Sequence, residues 1–523
     1  MSYVENILTG FPKMKELLSI LARSFSSSVP SFGSASACFF AKRFFSAVSY
    51  YPPTSPFAHP IPKLPIIDSM VEKAAKLQLP ALDRTAIISV QHLLETTATL
   101  FKGLIDIGLK PENIFLAGKP YSTSSPVFTA ISDLGISLIP TVYPKSIGQY
   151  QSAAYESSTA LWQRFVEATE ARSFDKIIIL DEGGGLLKTM PSSFKIDSDR
   201  SIVGIEQTRG GLYEPIMDYL SFPLIEVASS AVKRIIEPQL IAGAILSRAK
   251  PIIQQLKVGK KNILFGVVGN GAIGSAIINY LLSEGFKVAC YDENDLSFQS
   301  NKFHINAKNL YRGRSASFVI TTADVIFGCT GRDITQAIDI FKLASTNKTF
   351  ISCTSGDEEF HSLLDKIASV SRIHFDPLGD ISYATRYGGT ISILSGGFPF
   401  NFDRTPWSVP SHDIEITRGL LFGACLQALR CTEKPVGGGL TMNGGKRYCL
   451  NPYIQKYVTT LWSAKQPAGK YPPYFFSHFS NVGTIVRKSG GTYQSDLLLE
   501  QTFSDIPRVH KKEENLPQPP QLK

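Results

Sequence analysis

The chain lacks most of the features that would place it in a special class. No uninterrupted apolar run reaches the roughly 18–20 residues that a helix needs to cross a bilayer, so no membrane span is expected. No block of five or more Lys/Arg occurs, which argues against a nucleic-acid surface despite a formal net charge of +9. No CxxC pair is present, and the seven cysteines, at 38, 290, 329, 353, 425, 431 and 449, are odd in number and scattered. That pattern argues against a disulfide framework and a structural zinc site, so no metal is expected, and it fits a reducing, cytoplasmic compartment. Acids are nearly missing from residues 11–49, where Lys13, Lys15, Arg23, Lys42 and Arg43 face only Glu16. Such a composition suits an organelle transit segment or a peripheral extension. The prolines of "YYPPTSPFAHPIPKLP" (50–65) block both helix and sheet ladders, which makes this stretch a linker.

What is present is an ordinary globular composition, 43% hydrophobic and 19% charged, over 523 residues, enough for two or three domains. From about residue 84 short β-branched runs alternate with helical spacing. "TAIISV" (85–90), "NIFLAG" (113–118), "ISLIP" (136–140) and "KIIILDEGGG" (176–185) read as strands, and "HLLETTATLFKGLIDIG" (92–108) and "SPVFTAISDLG" (125–135) as helices. A long connecting helix is expected over 238–256. A second series of strands follows at 317–320, 325–331, 348–356 and 391–397, then an apolar helix over 415–430. The expected fold class is α/β, with two Rossmann-like doubly wound parallel-sheet domains joined by long helices. The expected division is an extension and linker over 1–63, a substrate-like domain over 64–243, and a dinucleotide-binding domain over 244–406. A return helix and segment packing on the first domain would cover 407–465, and a loop-rich tail 466–523.

The sharpest motif is "VVGNGAIGSA" (267–276), in which Gly269, Gly271 and Gly274 form GxGxxG between an apolar strand and an amphipathic helix. The first glycine permits the tight turn, the second lets backbone approach a pyrophosphate, and the third lets helix and strand pack closely. Asn270, Gly271, Ala272 and Ile273 open the helix, whose free N–H groups suit a phosphate. Asp292 ends the next strand, eighteen residues beyond Gly274, where an acid can bind a ribose 2′-hydroxyl and favours NAD over NADP. "FGCTGRD" (327–333) ends another strand, and Thr330 and Gly331 would let backbone approach a nicotinamide ribose.

Taken together, these motifs and several others resemble the S-adenosylhomocysteine hydrolase family over roughly 85–430. "LDEGGGL" (180–186) is similar to its Leu-Asp-Asp-Gly-Gly-Asp-Leu, "GIEQTRGGLYEPIM" (204–217) to its Glu-Glu-Thr-Thr-Thr-Gly-Val segment, and "ASSAVKRIIE" (228–237) to its Asn-Asp-Ser-Val-Thr-Lys-Ser-Lys-Phe-Asp. "HLLETTATL" (92–100) resembles a family helix start, and "SGGFPFNF" (395–402) a cofactor-contacting turn. The resemblance implies NAD held as an embedded redox catalyst, transient 3′-oxidation of an adenosyl nucleoside, and a place in one-carbon metabolism. It implies Lys233 as the catalytic lysine with Glu237 as its partner, Glu182 as the catalytic carboxylate and His92 as a catalytic histidine. It places Asp181, Glu206 and Gln207 at the substrate, and Thr208, Thr330, Gly331 and Asn401 at the cofactor.

The chain also departs from the family. Glu182 stands for an Asp, Gln207 for a Glu and Gly356 for a His, "WSVP" (407–410) replaces Gly-His-Pro, and the family's C-terminal Lys-Pro-Asp-His-Tyr-Arg-Tyr has no counterpart. These departures argue against the family's usual tetramer while leaving a homo-oligomer open. Three functions stay open: an enzyme acting on an adenosyl thioether or related nucleoside, an NAD-binding regulator or scaffold without turnover, and a 2-hydroxyacid-type dehydrogenase. The last needs an Arg and a His–acid pair, for which Arg386 and His412 are the nearby candidates.

Overall fold

The computed structural model describes residues 59–506 apart from 192–193, 195–199, 260–261, 295–306, 341–342, 344, 372–374, 435–445, 468–478 and 480. The expected extension and most of the Pro-rich linker lie outside the described residues, as does the end of the expected tail. All described residues belong to one compact unit, Thr54–Lys523.

The apolar runs form strands β1 (Thr85–Gln91), β2 (Ile114–Gly118), β3 (Ser137–Ile139), β4 (Lys176–Asp181), β5 (Ser201–Glu206) and β6 (Leu224–Glu226). There follow β7 (Leu264–Val268), β8 (Lys287–Tyr291), β9 (Leu310–Arg312), β10 (Val325–Gly328), β11 (Lys348–Ser352), β12 (Ile381–Ala384), β13 (Thr390–Ile393) and β14 (Arg447–Cys449). They build two seven-stranded sheets, ordered β14-β6-β5-β4-β1-β2-β3 and β12-β13-β11-β10-β7-β8-β9. The first sheet is parallel throughout, and the second is parallel except for the β12–β13 edge pair. Read from β3 to β6 and from β9 to β11, each carries the strand order of a doubly wound dinucleotide-type sheet. The fold is therefore two Rossmann-like α/β domains.

Strand β4 explains why the first sheet reads as unbroken apolar runs. All six of its residues are buried, because helices cover both faces. Ile178 and Leu180 enter a core with Phe101, Leu420 and Trp462, while Ile177 and Ile179 enter another with Trp162 and Phe165. The helix Ser411–Arg430 is buried from Asp413 to Leu429, so it runs through the first domain's core and not along its surface. Its last carbonyls are closed by Lys176, whose Nζ donates to Ala428 O at 2.8 Å, Leu429 O at 2.8 Å and Cys431 O at 2.5 Å.

Three expectations change. The run at 317–320 is not a strand but lies in the helix Ala316–Thr322, N-capped by Ser315 Oγ, which accepts the Phe318 N–H at 3.1 Å. β9 and β10 run the same way within one sheet, and a parallel connection needs such a crossover. The boundary expected at 243/244 falls inside the helix Glu237–Gly259, so the joint is the helix itself. The C-terminal segment is richer in structure than its glycines and prolines suggest, with β14 on the first sheet and helices Pro452–Lys465, Val482–Ser489 and Leu497–Ser504. Among the described residues, no helix is long and apolar enough to cross a membrane.

Candidate functional site

In a parallel sheet every strand ends on the same edge, so residues distant in sequence meet there. His92 follows β1, Lys119 follows β2, Glu182 follows β4 and Gln207 follows β5. The strand order reverses between β1 and β4, the point at which doubly wound sheets ordinarily bind ligands. His92 and Glu182 flank it and form an ion pair through Nε2 and Oε1, with only 11% and 5% of their side chains exposed. The other ring nitrogen, Nδ1, lies 2.5 Å from Ser122 Oγ. Lys119 Nζ stands 3.6 Å from the same Glu182 oxygen. Glu182 Oε2 is buried and has no hydrogen-bond partner among the described residues.

The electrostatics follow from that packing. Burial pushes the Glu182 carboxyl up, but His92, Lys119 and Arg418 outweigh it and hold the group well below the usual carboxylate range. Burial lowers His92, opposed by the charge of Glu182 and by their hydrogen bond. Burial also penalises the Lys119 ammonium, yet Glu182 and the neighbouring Tyr121, Tyr150 and Glu206 keep it charged, well above the ordinary lysine value.

Asp181 and Glu206, expected at the substrate, are engaged by backbone N–H groups. Asp181 accepts the N–H groups of Glu182 at 2.7 Å and Leu187 at 2.8 Å. Glu206 accepts those of Gly183 at 3.1 Å, Gly184 at 2.9 Å and Thr208 at 2.7 Å, plus the Thr208 hydroxyl at 2.7 Å. Both side chains are fully buried and shape the loop that presents Glu182. Burial raises both, and their closeness adds to the rise at Glu206. Thr208 also caps the short helix Arg209–Leu212. Gln207 donates through Nε2 to Gln91 Oε1 at 3.3 Å, and Gln207 Oε1 and Gln91 Nε2 are buried with no hydrogen-bond partner among the described residues.

Lys233 and Glu237 meet at 2.6 Å across the single residue, Ile236, that separates the helices Ala231–Ile235 and Glu237–Gly259. Burial lowers the guanidinium of Arg418, from the buried helix Ser411–Arg430, opposed by the charges of Glu182 and Glu237. Arg418 is 5% exposed and donates from Nε to Thr96 Oγ1 at 3.1 Å.

The second domain closes the site. His92 stacks on Phe402 at 4.2 Å between ring centroids, and Tyr121 stacks on Phe398 at 5.0 Å. Tyr150 meets Tyr121 and Phe398 edge-on. Asn401, between two of these aromatic contacts in sequence, is buried. Arg386 and His412, by contrast, lie on the surface.

At the matching reversal in the second sheet, between β7 and β10, the glycine loop passes a direct test of fit for a dinucleotide. Gly269 has φ +95°, and a Cβ there would meet the Cys329 backbone at 2.7 Å. A Cβ on Gly274 would meet Gly269 O at 1.9 Å, whereas one on Gly271 would meet nothing within 4 Å. Two glycines are thus required by packing, and the middle one faces open space where a pyrophosphate belongs. Ala272 is exposed and Ile273 half-buried at the start of the helix Ala272–Ser283, while Asn270 is buried. Asp292 accepts the Asn270 N–H at 2.5 Å and the Asn294 N–H at 2.8 Å, which ties the end of β8 to the loop. The Thr330 and Gly331 N–H groups, expected to approach a nicotinamide ribose, donate to Glu359 at 2.9 Å and 2.7 Å. Glu359 is fully buried, and burial raises it to about 7 against its hydrogen bonds from Thr330.

Lys119, Arg418, Ser122 and Glu359 were not singled out in the sequence. Lys119 carried a signal, since it follows the strand run "NIFLAG" where a doubly wound sheet binds ligands. Arg418 carried a weaker one, a lone cation inside the apolar "EITRGLLFGAC".

No family model matches the chain. An uncharacterized protein of Mycobacterium tuberculosis, found in two strains, is 28% identical over 378 residues, which is 71% of this chain and 68% of that protein. Among solved structures, an L-alanine dehydrogenase is 11% identical, covering 72% of this chain and 99% of its own, with a TM-score of 0.30. An NADPH-dependent glyoxylate/hydroxypyruvate reductase from Sinorhizobium meliloti is 11% identical, covering 53% and 86%, with a TM-score of 0.29. A 2-hydroxyacid dehydrogenase from Ketogulonicigenium vulgare Y25 is 12% identical, covering 53% and 89%, with a TM-score of 0.29. None of these is an adenosylhomocysteinase, so that resemblance rests on the motifs of the sequence.

Proposed function

We propose that the chain is a nicotinamide-dinucleotide enzyme that transiently oxidises a hydroxyl of an adenosyl nucleoside or related thioether in the cleft between its two sheets. The observation that carries this reading is Glu182: one oxygen is held by His92 and faces Lys119, and the other is free at the strand-order reversal. The Gly269–Gly274 loop and the start of the helix Ala272–Ser283 would hold a dinucleotide, which when bound would supply reversible hydride acceptance. NAD is favoured over NADP because Asp292 would repel a 2′-phosphate.

The chain's own residues then have distinct tasks. Lys233, paired with Glu237, assists proton loss from the substrate hydroxyl. Oxidation acidifies the neighbouring C–H, and Glu182, ionised at neutral pH, takes that proton through Oε2. The thiolate leaves across the adjacent C–S bond, and water adds in its place. His92 orients Glu182 and keeps its charge favourable. Phe402, Phe398, Tyr121 and Tyr150 exclude water from the cleft.

The test is to purify the full chain, identify nucleotide released by acid, and assay S-adenosylhomocysteine for free thiol. Bound NAD with thiol release supports the reading. A second reading, an NAD-binding protein without turnover, is favoured by the aromatic cluster that packs directly against His92. It predicts bound NAD and no thiol. Reduction of 2-oxo acids would instead favour a dehydrogenase that uses the His92–Glu182 pair.

A further inference from the structure

Two cations in the cleft have more hydrogen-bonding capacity than this structure engages. Lys119 is 4% exposed, and its Nζ makes no hydrogen bond among the described residues; its Glu182 ion pair spans 3.6 Å. Arg418 is 5% exposed and makes one hydrogen bond, through Nε to Thr96. Buried charges are ordinarily paired and hydrogen-bonded, because desolvation leaves an unmet donor costly. Around the His92–Glu182 pair the two cations face one carboxylate, since Glu237 is held by Lys233 at 2.6 Å. Asp181 and Glu206 lie on the same edge, but their oxygens are taken by N–H groups of the 182–187 loop and by Thr208. Glu182 Oε2 is open as an acceptor, yet among the described residues the unused N–H groups of Lys119 and Arg418 outnumber the acceptor sites the cluster offers them.

We infer that the substrate bears an oxyanion, a carboxylate or phosphate, that binds between Lys119 and Arg418 beside His92. This rests on the cleft being the substrate site, as in the function proposed above, and it narrows the substrate class. A guanidinium and an ammonium suit such a group, since both make charge-assisted hydrogen bonds to its oxygens. Arg418 is anchored beside this edge through Thr96, on the helix that follows His92.

The test is calorimetric titration of the full chain, saturated with NAD, with oxalate, inorganic phosphate and the neutral analogue oxamide. At least one anion is expected to bind roughly tenfold or more tightly than oxamide, and which anion binds distinguishes a carboxylate from a phosphate source. Lys119→Met and Arg418→Met should each weaken that anion by about tenfold or more, whereas Arg418→Lys, which keeps the charge, should weaken it less. Equal binding of oxamide and the anions, no binding of either anion, or unchanged affinity in Lys119→Met overturns the inference. Because the readout is binding heat, it stands apart from thiol release: a chain that binds oxalate but releases no thiol keeps this site and loses the proposed reaction.

Discussion

At the scale of single residues, the proposed reaction separates groups that would touch substrate from groups that hold the loop. Glu182→Gln should lower thiol release by roughly 10²–10⁴-fold while leaving NAD bound, as expected for loss of a positioned base. His92→Gln removes a partner that lowers the Glu182 carboxyl, so the acid limb of the kcat/KM profile should move to higher pH. A purely structural role for His92 would lower activity without moving that limb. Glu206→Gln tests the opposite kind of residue. It leaves donors of Gly183, Gly184 and Thr208 poorly matched and should cost about 1–3 kcal/mol in chemical unfolding. The positions of His92 and Glu182 at strand ends were legible in the sequence, because each follows an apolar run. The loop-building work of Asp181 and Glu206 was not, because a carboxylate's partners there are backbone N–H groups, which leave no residue pattern.

At the scale of elements, the strand–glycine–helix unit was the most legible part of the chain, since each glycine answers to a separate steric demand. The structure makes that division testable. Gly274→Ala places a Cβ 1.9 Å from Gly269 O and should destabilise the chain by about 1–3 kcal/mol or more. Gly271→Ala meets nothing within 4 Å, so stability should change by less than about 0.5 kcal/mol while NAD affinity falls. Thermal melts with and without NAD separate the two effects. Short apolar runs were less legible. "SFVI" (317–320) has strand composition but lies in a crossover helix, because the parallel partners on either side leave no other connection. β14 was invisible because three residues paired to a distant strand carry no periodicity.

At the scale of the whole molecule, the alternating pattern of strands and helices foretold two doubly wound sheets, while the joining of their edges into one cleft depended on packing. Phe398 and Phe402 come from the second domain and Tyr121, Tyr150 and His92 from the first, and only tertiary structure brings them together. The closed cleft also sets a pH dependence. Burial raises Glu359 from 4.5 to about 7, so between these values the folded chain holds more protons than the unfolded one. That contribution to stability falls as pH rises from about 4.5 to about 7, and Glu359→Gln should melt lower yet change less across that window. The central claim is that a dinucleotide on the second sheet exchanges a hydride with a substrate held by the first. The direct measurement is the near-ultraviolet absorbance of reduced nicotinamide after adenosine is added to NAD-loaded protein, in the unaltered chain and in Lys233→Met. The account predicts a reduced-nicotinamide band in the former and none in the latter, with NAD still bound. No band in the unaltered chain, or an equal band in Lys233→Met, would contradict it.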